Sequence, residues 1–168
     1  MAPAANAASA SSTGNAGSSA PSDRPEHSNA ESPASSSKSR SAATAAAAAR
    51  RSAALAQRIG ALCHEFKAND ITVLSLKGVS DMTDYFVIAS GTSDTHVRST
   101  AQRLEDELKQ EGQRPAHTEG IEQGRWAILD YVDVVVHLFH PAMRSYYQLE
   151  RLWGDATVVP LKVQGAKA

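Results

Sequence analysis

Four residues of this chain have types and a spacing that could support phosphate chemistry. Gly91 and Ser93 form a turn between a predicted strand and a predicted helix, where backbone N–H groups can hold a phosphate. Asp130 and Asp133 are carboxylates that could hold magnesium for nucleotidyl transfer. They are three positions apart, however, whereas two carboxylates on one face of a strand are two apart. No Lys or Arg adjoins Gly91, so we favour turn and capping roles and keep a nucleotidyltransferase-like enzyme as the alternative.

The other reactive side chains do not form a catalytic or metal-binding set. His137 and His140 would lie on opposite faces of a strand at their spacing. Cys63 and His64 are adjacent on a predicted helix and point about 100° apart, so they make no nucleophile and base pair. Cys63 is the single cysteine, which excludes an internal disulfide. We therefore expect no catalytic residue, no metal site and no cofactor.

Composition divides the 168-residue chain into a tail and a folding unit. Residues 2–54 contain no Val, Leu, Ile, Met, Cys, Phe, Tyr or Trp, so they offer no large side chain to bury. We predict a disordered Ala/Ser-rich tail over 1–51, a domain over 52–160 and a flexible C-terminus over 161–168. The alanine run at 42–49 could extend the first helix. An organellar presequence is the alternative interpretation of the tail.

Charge and hydropathy restrict the partners of the chain. The whole chain has a formal net charge of −1, and residues 55–168 contain 12 basic and 15 acidic residues. A weakly acidic domain lacks the clustered basic face that duplex nucleic acid requires. We therefore expect no direct sequence-specific nucleic-acid binding and favour a basic protein partner. No apolar run approaches the ~20 residues that cross a bilayer, so we expect no membrane partner.

The hydrophobic periodicity predicts strands that alternate with helices. The predicted elements, in chain order, are a helix over about 52–67, strands over 71–76 and 85–89, a helix capped by Ser93 and ended by Gly112, an extended segment over 114–118, a hairpin of 126–130 with 133–139, and a helix that begins at Pro141 with a face of Met143, Tyr146, Leu149 and Trp153. This order predicts a single α/β domain with a mixed β-sheet and flanking helices.

The hairpin carries the side chains best suited to binding a partner. A two-residue turn at Tyr131-Val132 would place Asp130 opposite Asp133 and Trp126 opposite His137. One face would then have an apolar centre and an acidic rim, which is the composition of a protein-binding patch. The predicted partner-binding residues are Trp126, Ile128, Asp130, Asp133, Val135 and His137. If helices covered this face, Trp126 would instead be a core residue.

Several segments together resemble the ribosomal silencing factor family, also called Iojap-like. The matching segments are Thr83–Ile88, Gly91–Ser93 with His96 and Val97, Glu119–Gly120, Trp126–Asp130, Asp133–His137, Arg144–Glu150 and Leu152–Trp153. The resemblance covers about 55–157 and implies a nucleotidyltransferase-like fold that lacks the catalytic set. One departure is Val132, where the family usually has glycine, and a β-branched residue resists positive φ.

The resemblance also implies a function that is not enzymatic. It implies binding to the large ribosomal subunit through ribosomal protein L-fourteen, which sterically prevents the small subunit from joining. Translation would thereby be repressed when nutrients are limiting, and members of the family are often homodimers. We therefore expect a cytoplasmic, ribosome-associated repressor that can form a homodimer.

Overall fold

The computed structural model of the chain describes residues 34–163, so our predictions for 1–33 and 164–168 lie outside the described residues. The elements, in chain order, are α1 Ala34–Glu65, β1 Asn69–Ser75, β2 Tyr85–Ser90, α2 Asp94–Gln110, β3 His117–Glu119, β4 Trp126–Asp130, β5 Val134–Phe139, α3 Pro141–Tyr147, α4 Leu149–Leu152 and β6 Thr157–Val159. These elements confirm the predicted α/β domain with a mixed sheet and flanking helices.

The first helix is longer than predicted. It begins at Ala34 instead of near Ser52, so the prediction of a disordered tail is wrong for residues 34–51. Alanine has the highest helix propensity, and the alanine run at 42–49 continues the helix without any large side chain to bury. From Ser52 onwards, one face of α1 packs on the domain, with Ile59 fully buried.

The strands form one mixed sheet in the order β3-β4-β5-β2-β1-β6. Among the described strands, β2 and β5 are the one parallel pair, and the other neighbours are antiparallel. All residues of β2 are buried, as its continuous apolar run predicts. The sequence prediction lacks β6, because a three-residue strand carries almost no periodicity.

Helices cover the two faces of the sheet unequally. On one face, α1 and α2 pack over a large core that includes Ile59 and Leu129. Cys63 belongs to this core, and burial raises the pKa of its thiol to about 12, so it is a packing residue. The opposite face has a smaller core around Phe86 and Phe139, which α3 and α4 border.

The single helix predicted after Pro141 is two short helices, α3 and α4. Gln148 lies between them with φ 45°, a left-handed conformation that interrupts the helix. The interruption changes which side chains face the sheet. Leu149 is buried as predicted, whereas Tyr146 is 77 % exposed, so its assignment to the buried face is wrong.

Arg144 connects these two helices to the sheet through hydrogen bonds. Its guanidinium donates hydrogen bonds to the carboxylate of Glu150 at 2.9 Å and to the hydroxyls of Ser90 at 3.0 Å and Thr72 at 3.2 Å. It also donates to the backbone carbonyl of Asp70. The side chain of Arg144 is 15 % exposed. One cation therefore ties α3 and α4 to the start of β1 and the end of β2.

The register of the β4–β5 hairpin differs by two residues from the predicted one. The observed pairs include Trp126 with Phe139, Ile128 with His137 and Asp130 with Val135. The predicted pairing of Asp130 with Asp133 and of Trp126 with His137 is therefore wrong. Because side chains alternate with a period of two, this shift leaves each strand residue on its predicted face.

The loop of the hairpin explains the shift in register. The favoured two-residue turn has positive φ at both central residues, which Tyr131 and the β-branched Val132 resist. The chain forms a longer loop instead, closed by a hydrogen bond from the N–H of Tyr131 to the carbonyl of Val134 at 2.9 Å. Val132 alone has positive φ in this loop, at 71°.

Candidate protein-binding groove

Five of the six predicted partner-binding residues share the sheet face opposite α1 and α2. They are Trp126, Ile128, Asp130, Val135 and His137. Asp133 lies instead in the hairpin loop and borders a separate depression. The structure thus brings five of these residues together and leaves out the sixth.

Trp126 is half-buried at the edge of this face. Its ring stacks on Phe139 with the centroids 4.9 Å apart and contacts Tyr147 of α3 at 4.7 Å. Its Nε1–H donates a hydrogen bond to Nδ1 of His137 at 3.2 Å. This is a diagonal contact across the two strands, so it forms although the register differs from the predicted one. Tyr147 covers part of the indole, and the face is therefore partly covered at this edge.

His137 is a buried polar residue in the middle of the same face, with 6 % of its surface exposed. Burial lowers its pKa to about 4, against a smaller opposing effect of Glu150, so the imidazole is neutral at pH 7. Since Nδ1 accepts the bond from Trp126, the ring proton resides on Nε2. That nitrogen has no hydrogen-bond partner among residues 34–163. Phe86 contacts the ring edge-on at 4.8 Å.

A groove of about 350 Å³, here called the hairpin groove, opens beside His137. Its lining residues are Ser80, Met82, Thr83, Phe86, Asp130, Val132, Val135, His137 and Trp153. Met82 is 89 % exposed and Val132 is 62 % exposed, and both stand on the rim. An apolar groove with exposed large apolar side chains at its rim is typical of a protein-binding surface.

Asp130 and Val132 shape the tip of the hairpin. Oδ1 of Asp130 accepts a hydrogen bond from the N–H of Val132 at 2.7 Å. The N–H of Asp133 donates to the carbonyl of Tyr131 at 2.9 Å, so Val132 is the central residue of a γ-turn with positive φ. Such turns are rare and strained, and a β-branched residue adds to the strain. The backbone nevertheless holds this apolar side chain in solvent beside the groove.

Asp133 faces the other side of the domain. Its backbone carbonyl accepts hydrogen bonds from the N–H groups of Asp84 and Tyr85 at 3.0 and 3.1 Å, which fixes the loop to the start of β2. Its side chain is exposed and borders a depression of about 510 Å³ together with Ser52 and Tyr131. The predicted acidic rim of Asp130 and Asp133 is therefore wrong, because the two carboxylates border different surfaces.

The four residues of the enzymatic alternative do not meet at one site. Gly91 follows the end of β2, where its N–H donates to the carbonyl of Phe139 at 2.9 Å. Asp133 lies at the start of β2, and the strand between them spans about 16 Å. Asp130 pairs with Val135, the second residue of β5, at the same end of the sheet as Asp133. The turn at Gly91 and Ser93 is therefore separated from both carboxylates by the length of the strand.

The turn between β2 and α2 has structural roles. Ser93 caps α2 as predicted, since its hydroxyl accepts a hydrogen bond from the N–H of His96 at 3.1 Å. A Cβ at Gly91 would lie 2.7 Å from a methyl group of Val97, so only glycine lets the turn pack against the helix. The N–H of Thr92 donates to Nδ1 of His96 at 3.0 Å. The N–H groups of Gly91 and Thr92 are thus already bonded within the protein.

Two further kinds of site are absent from residues 34–163. In this range, no three or more His, Cys, Asp or Glu side chains are grouped so that they could hold a metal ion. His140, which the spacing paired with His137, caps α3 by accepting a hydrogen bond from the N–H of Ala142. The same described residues include no helix with the length and apolar character required to cross a bilayer.

Sequence reasoning missed the most exposed residues of the hairpin groove. Met82 lies in the irregular segment between β1 and β2, where periodicity gives no information. The available signal was Met82 itself, a large apolar residue flanked by polar residues. Trp153, predicted on the face of the last helix, lies against Phe86 with the ring centroids 5.5 Å apart and forms one wall of the groove.

These features define a mixed α/β domain with an apolar groove on one face of its sheet. The sequence profile described as "Ribosomal silencing factor during starvation" matches residues 48–168. The chain belongs to the ribosomal silencing factor family, which confirms the resemblance. It is 43 % identical over 101 residues to "Ribosomal silencing factor RsfS" of Bacillus subtilis (strain 168), covering 60 % of this chain and 86 % of that protein.

Solved structures and organellar relatives agree with this assignment. A crystal structure of a Chromobacterium violaceum protein is similar with a TM-score of 0.57 and 34 % identity, covering 70 % of this chain and 95 % of that one. "Protein Iojap, chloroplastic" of Arabidopsis thaliana is 32 % identical over 110 residues, 66 % of this chain and 46 % of that protein. "Mitochondrial assembly of ribosomal large subunit protein 1" of Mus musculus is 33 % identical over 96 residues, 55 % of this chain and 42 % of that protein.

Proposed function

We propose that this chain is a non-enzymatic repressor of translation. It binds the large ribosomal subunit through ribosomal protein L-fourteen and sterically prevents the small subunit from joining. The observation that carries the proposal is the hairpin groove, an open apolar surface in a member of the ribosomal silencing factor family. The repressor acts in the cytoplasm when nutrients are limiting.

The chemistry of the groove suits a basic protein with an apolar protrusion. Val135, Phe86 and Trp153 supply an apolar floor and wall, and the exposed Met82 extends the apolar rim. Asp130 places a carboxylate at the hairpin tip, where it would attract a cationic partner. Ribosomal proteins are basic and contact RNA, so a protein of this class complements the surface. Aromatic anchors in such grooves carry most of the binding free energy.

The geometry of the turn at Gly91 and Ser93, the candidate phosphate-binding turn, supports the proposal that the chain is not an enzyme. Gly91 packs against α2, and the N–H groups of Gly91 and Thr92 are bonded within the protein. The carboxylates of Asp130 and Asp133 border surfaces at the other end of the sheet. A repressor that acts by occupying a surface needs no such site.

The proposal is tested with two charge-introducing variants of exposed apolar residues. Met82→Asp places a carboxylate on the rim of the hairpin groove, where the side chain is 89 % exposed. Val158→Asp is the matched control, at a position that is 65 % exposed on β6, three strand positions from β5. Both variants add one negative charge and remove little buried surface. Thermal unfolding of each variant verifies that it folds.

Two measurements decide the outcome. Co-sedimentation with purified large subunits measures binding, and light scattering measures joining with small subunits. We expect Met82→Asp to weaken binding at least about tenfold and to restore subunit joining, because a desolvated carboxylate opposes an apolar contact. Val158→Asp should behave as the wild type. Equal binding by Met82→Asp and the wild type would contradict the proposed docking surface.

We also propose that the free protein forms a homodimer. Exposed apolar side chains of Tyr146, at 77 %, and Leu152, at 75 %, provide surface that association would cover. Sedimentation equilibrium of the full chain would show a dimer that Leu152→Asp weakens. A monomer at every concentration would contradict this part of the proposal.

A further inference from the structure

The N-terminal part of α1 extends beyond the domain as an arm, defined here as residues 34–51. The side chains of residues 38–47 are all exposed, a stretch of about 15 Å at the helical rise. Burial begins at Ser52, whose hydroxyl donates to the carboxylate of Asp84 at 2.6 Å. Most of the arm precedes residue 48, where the match to the family begins.

Every charged residue of the arm is positive. Its charged residues are Lys38, Arg40, Arg50 and Arg51, and the first acidic residue of α1 is Glu65, at its last position. All four cations precede residue 55, so they are not among the 12 basic residues of 55–168. None of the four makes an ion pair with another residue of the described range 34–163.

The position of two of these cations, Lys38 and Arg40, is unfavourable for the helix itself. The N-terminal end of a helix carries a partial positive charge, which acidic residues in the first turn normally stabilise. The first turn of α1 has no acidic residue, and Lys38 and Arg40 follow directly. Lys38 and Arg40, in the second turn, therefore add positive charge close to the helix end, whereas Arg50 and Arg51 lie beyond its influence. A polyanion bound along the arm would remove this repulsion.

Two of the arginines lie on the same side of α1. Arg40 and Arg51 are eleven residues apart, which places them within about 20° of each other around the helix and about 16 Å apart along it. Arg58 continues the same line, although its guanidinium pairs with Glu111 at 2.6 Å. On the domain side, Arg51 borders the depression that contains Glu111 and Asp133. Arg40 and Arg50 do not line this depression.

We propose that the arm binds the phosphate backbone of double-stranded RNA. The arm offers cations and alanine methyl groups, so its affinity would be electrostatic and independent of sequence. A groove or an apolar stripe, which a protein partner would need, is absent from residues 38–47. The choice of RNA over other polyanions rests on the proposed function at the ribosome.

The test uses the full chain and a fluorescein-labelled 20-base-pair RNA duplex. The arm variant combines Lys38→Gln, Arg40→Gln, Arg50→Gln and Arg51→Gln, since glutamine retains helix propensity. The control variant removes four exposed cations of the domain through Lys67→Gln, Lys109→Gln, Arg114→Gln and Arg125→Gln. Fluorescence anisotropy measures the affinity for the duplex between 50 and 200 mM salt.

We expect the wild type and the control variant to bind the duplex with the same dependence on salt. The arm variant should bind at least about tenfold more weakly, and its log–log salt slope should fall by roughly one for each cation that contacts a phosphate. Equal slopes for the arm and control variants would overturn the proposal. A second result would also overturn the proposal: the arm variant loses large-subunit binding, although the wild type binds the duplex no more tightly than the arm variant does. The partner of the arm would then be an acidic protein.

This result is independent of the docking proposal, because the duplex contains no ribosomal protein. If the Met82→Asp variant binds large subunits as the wild type does, the proposed docking surface is wrong. The duplex measurement alone still decides the arm proposal. Loss of duplex affinity in the arm variant, with the control unchanged, supports the arm whatever the groove binds.

Discussion

The Nε1–H of Trp126 donates a hydrogen bond to Nδ1 of His137, with the two nitrogens 3.2 Å apart. The bond satisfies the polar end of a half-buried indole and fixes the tautomer of a buried, neutral imidazole. Phe139 and Tyr147 contact the indole on its other sides, and His137, the acceptor of the bond, lines the hairpin groove. Trp126 therefore orients a side chain that lines the groove, although the indole is not itself one of the groove's lining residues.

The hydrogen bond between these two side chains can be tested by Trp126→Phe. The variant keeps an aromatic ring against Phe139 but leaves Nδ1 of His137 buried without a donor. We expect the free energy of unfolding to fall by about 1–3 kcal/mol, as measured by urea denaturation. Trp153→Phe is the control, because no hydrogen bond of that indole is lost within residues 34–163, and its effect should be smaller. Equal losses in the two variants would show that ring size alone matters.

The buried state of His137 predicts a dependence of stability on pH. Its pKa is about 4 in the folded protein, against 6.5 for an exposed imidazole, because burial disfavours the charged form. The unfolded chain therefore binds more protons, and the free energy of unfolding falls as the pH drops from 6.5 to about 4. The full effect of this group is about 3 kcal/mol.

Two variants distinguish the contribution of His137 to this pH dependence from that of the carboxylates. In His137→Gln, the contribution between pH 6.5 and 4 should disappear, although the variant is less stable at pH 7. His117→Gln is the control, since that side chain is 65 % exposed, and it should keep the wild-type slope. Identical pH profiles for His137→Gln and the wild type would contradict a buried neutral imidazole.

The strained γ-turn predicts that one substitution stabilises the protein. Val132 has φ 71°, and glycine adopts this conformation without the clash of a β-branched side chain. We expect Val132→Gly to raise the free energy of unfolding by about 1 kcal/mol, after the entropic cost of glycine. Val158→Gly, in a strand, should lower it. Differential scanning calorimetry distinguishes the two signs, and a lower Tm for Val132→Gly would contradict the strain.

The Arg144 hydrogen bonds predict a large difference between two arginines of the same region. Arg144→Lys keeps the charge but cannot reach Glu150, Ser90 and Thr72 together. We expect it to lower the free energy of unfolding by about 2 kcal/mol. Arg151→Lys should have almost no effect, because Arg151 is exposed and its bond to Gln148 is 3.4 Å long. Chemical denaturation of both variants checks the difference.

The fold class was predictable from the sequence because strong signals marked its main elements. The apolar run of β2, the capping Ser93 and the paired runs of the hairpin each have a local physical cause. The face of Trp126 was predicted correctly despite the wrong register, since a shift of two residues preserves the alternation. Local pattern therefore sufficed to place side chains on faces.

Other features depend on tertiary contacts that no local pattern reports. Gln148 takes a left-handed conformation that splits the last helix, where Arg144 bonds to the sheet. Asp133 leaves the predicted patch because its carbonyl is fixed to the start of β2. Met82 joins the groove from a segment without periodicity. The groove is thus assembled from three parts of the chain, and the sequence indicated only the hairpin.

The central claim is that the hairpin groove contacts ribosomal protein L-fourteen on the large subunit. Replacing Met82 with the photoreactive amino acid benzoylphenylalanine places a cross-linking group on the exposed rim. The same replacement at Val158 is the control on the far edge of the sheet. After irradiation with purified large subunits, mass spectrometry identifies the attached protein. We predict that the Met82 position cross-links ribosomal protein L-fourteen and that the Val158 position does not, whereas a different protein at Met82, or equal yields at both positions, would contradict the account.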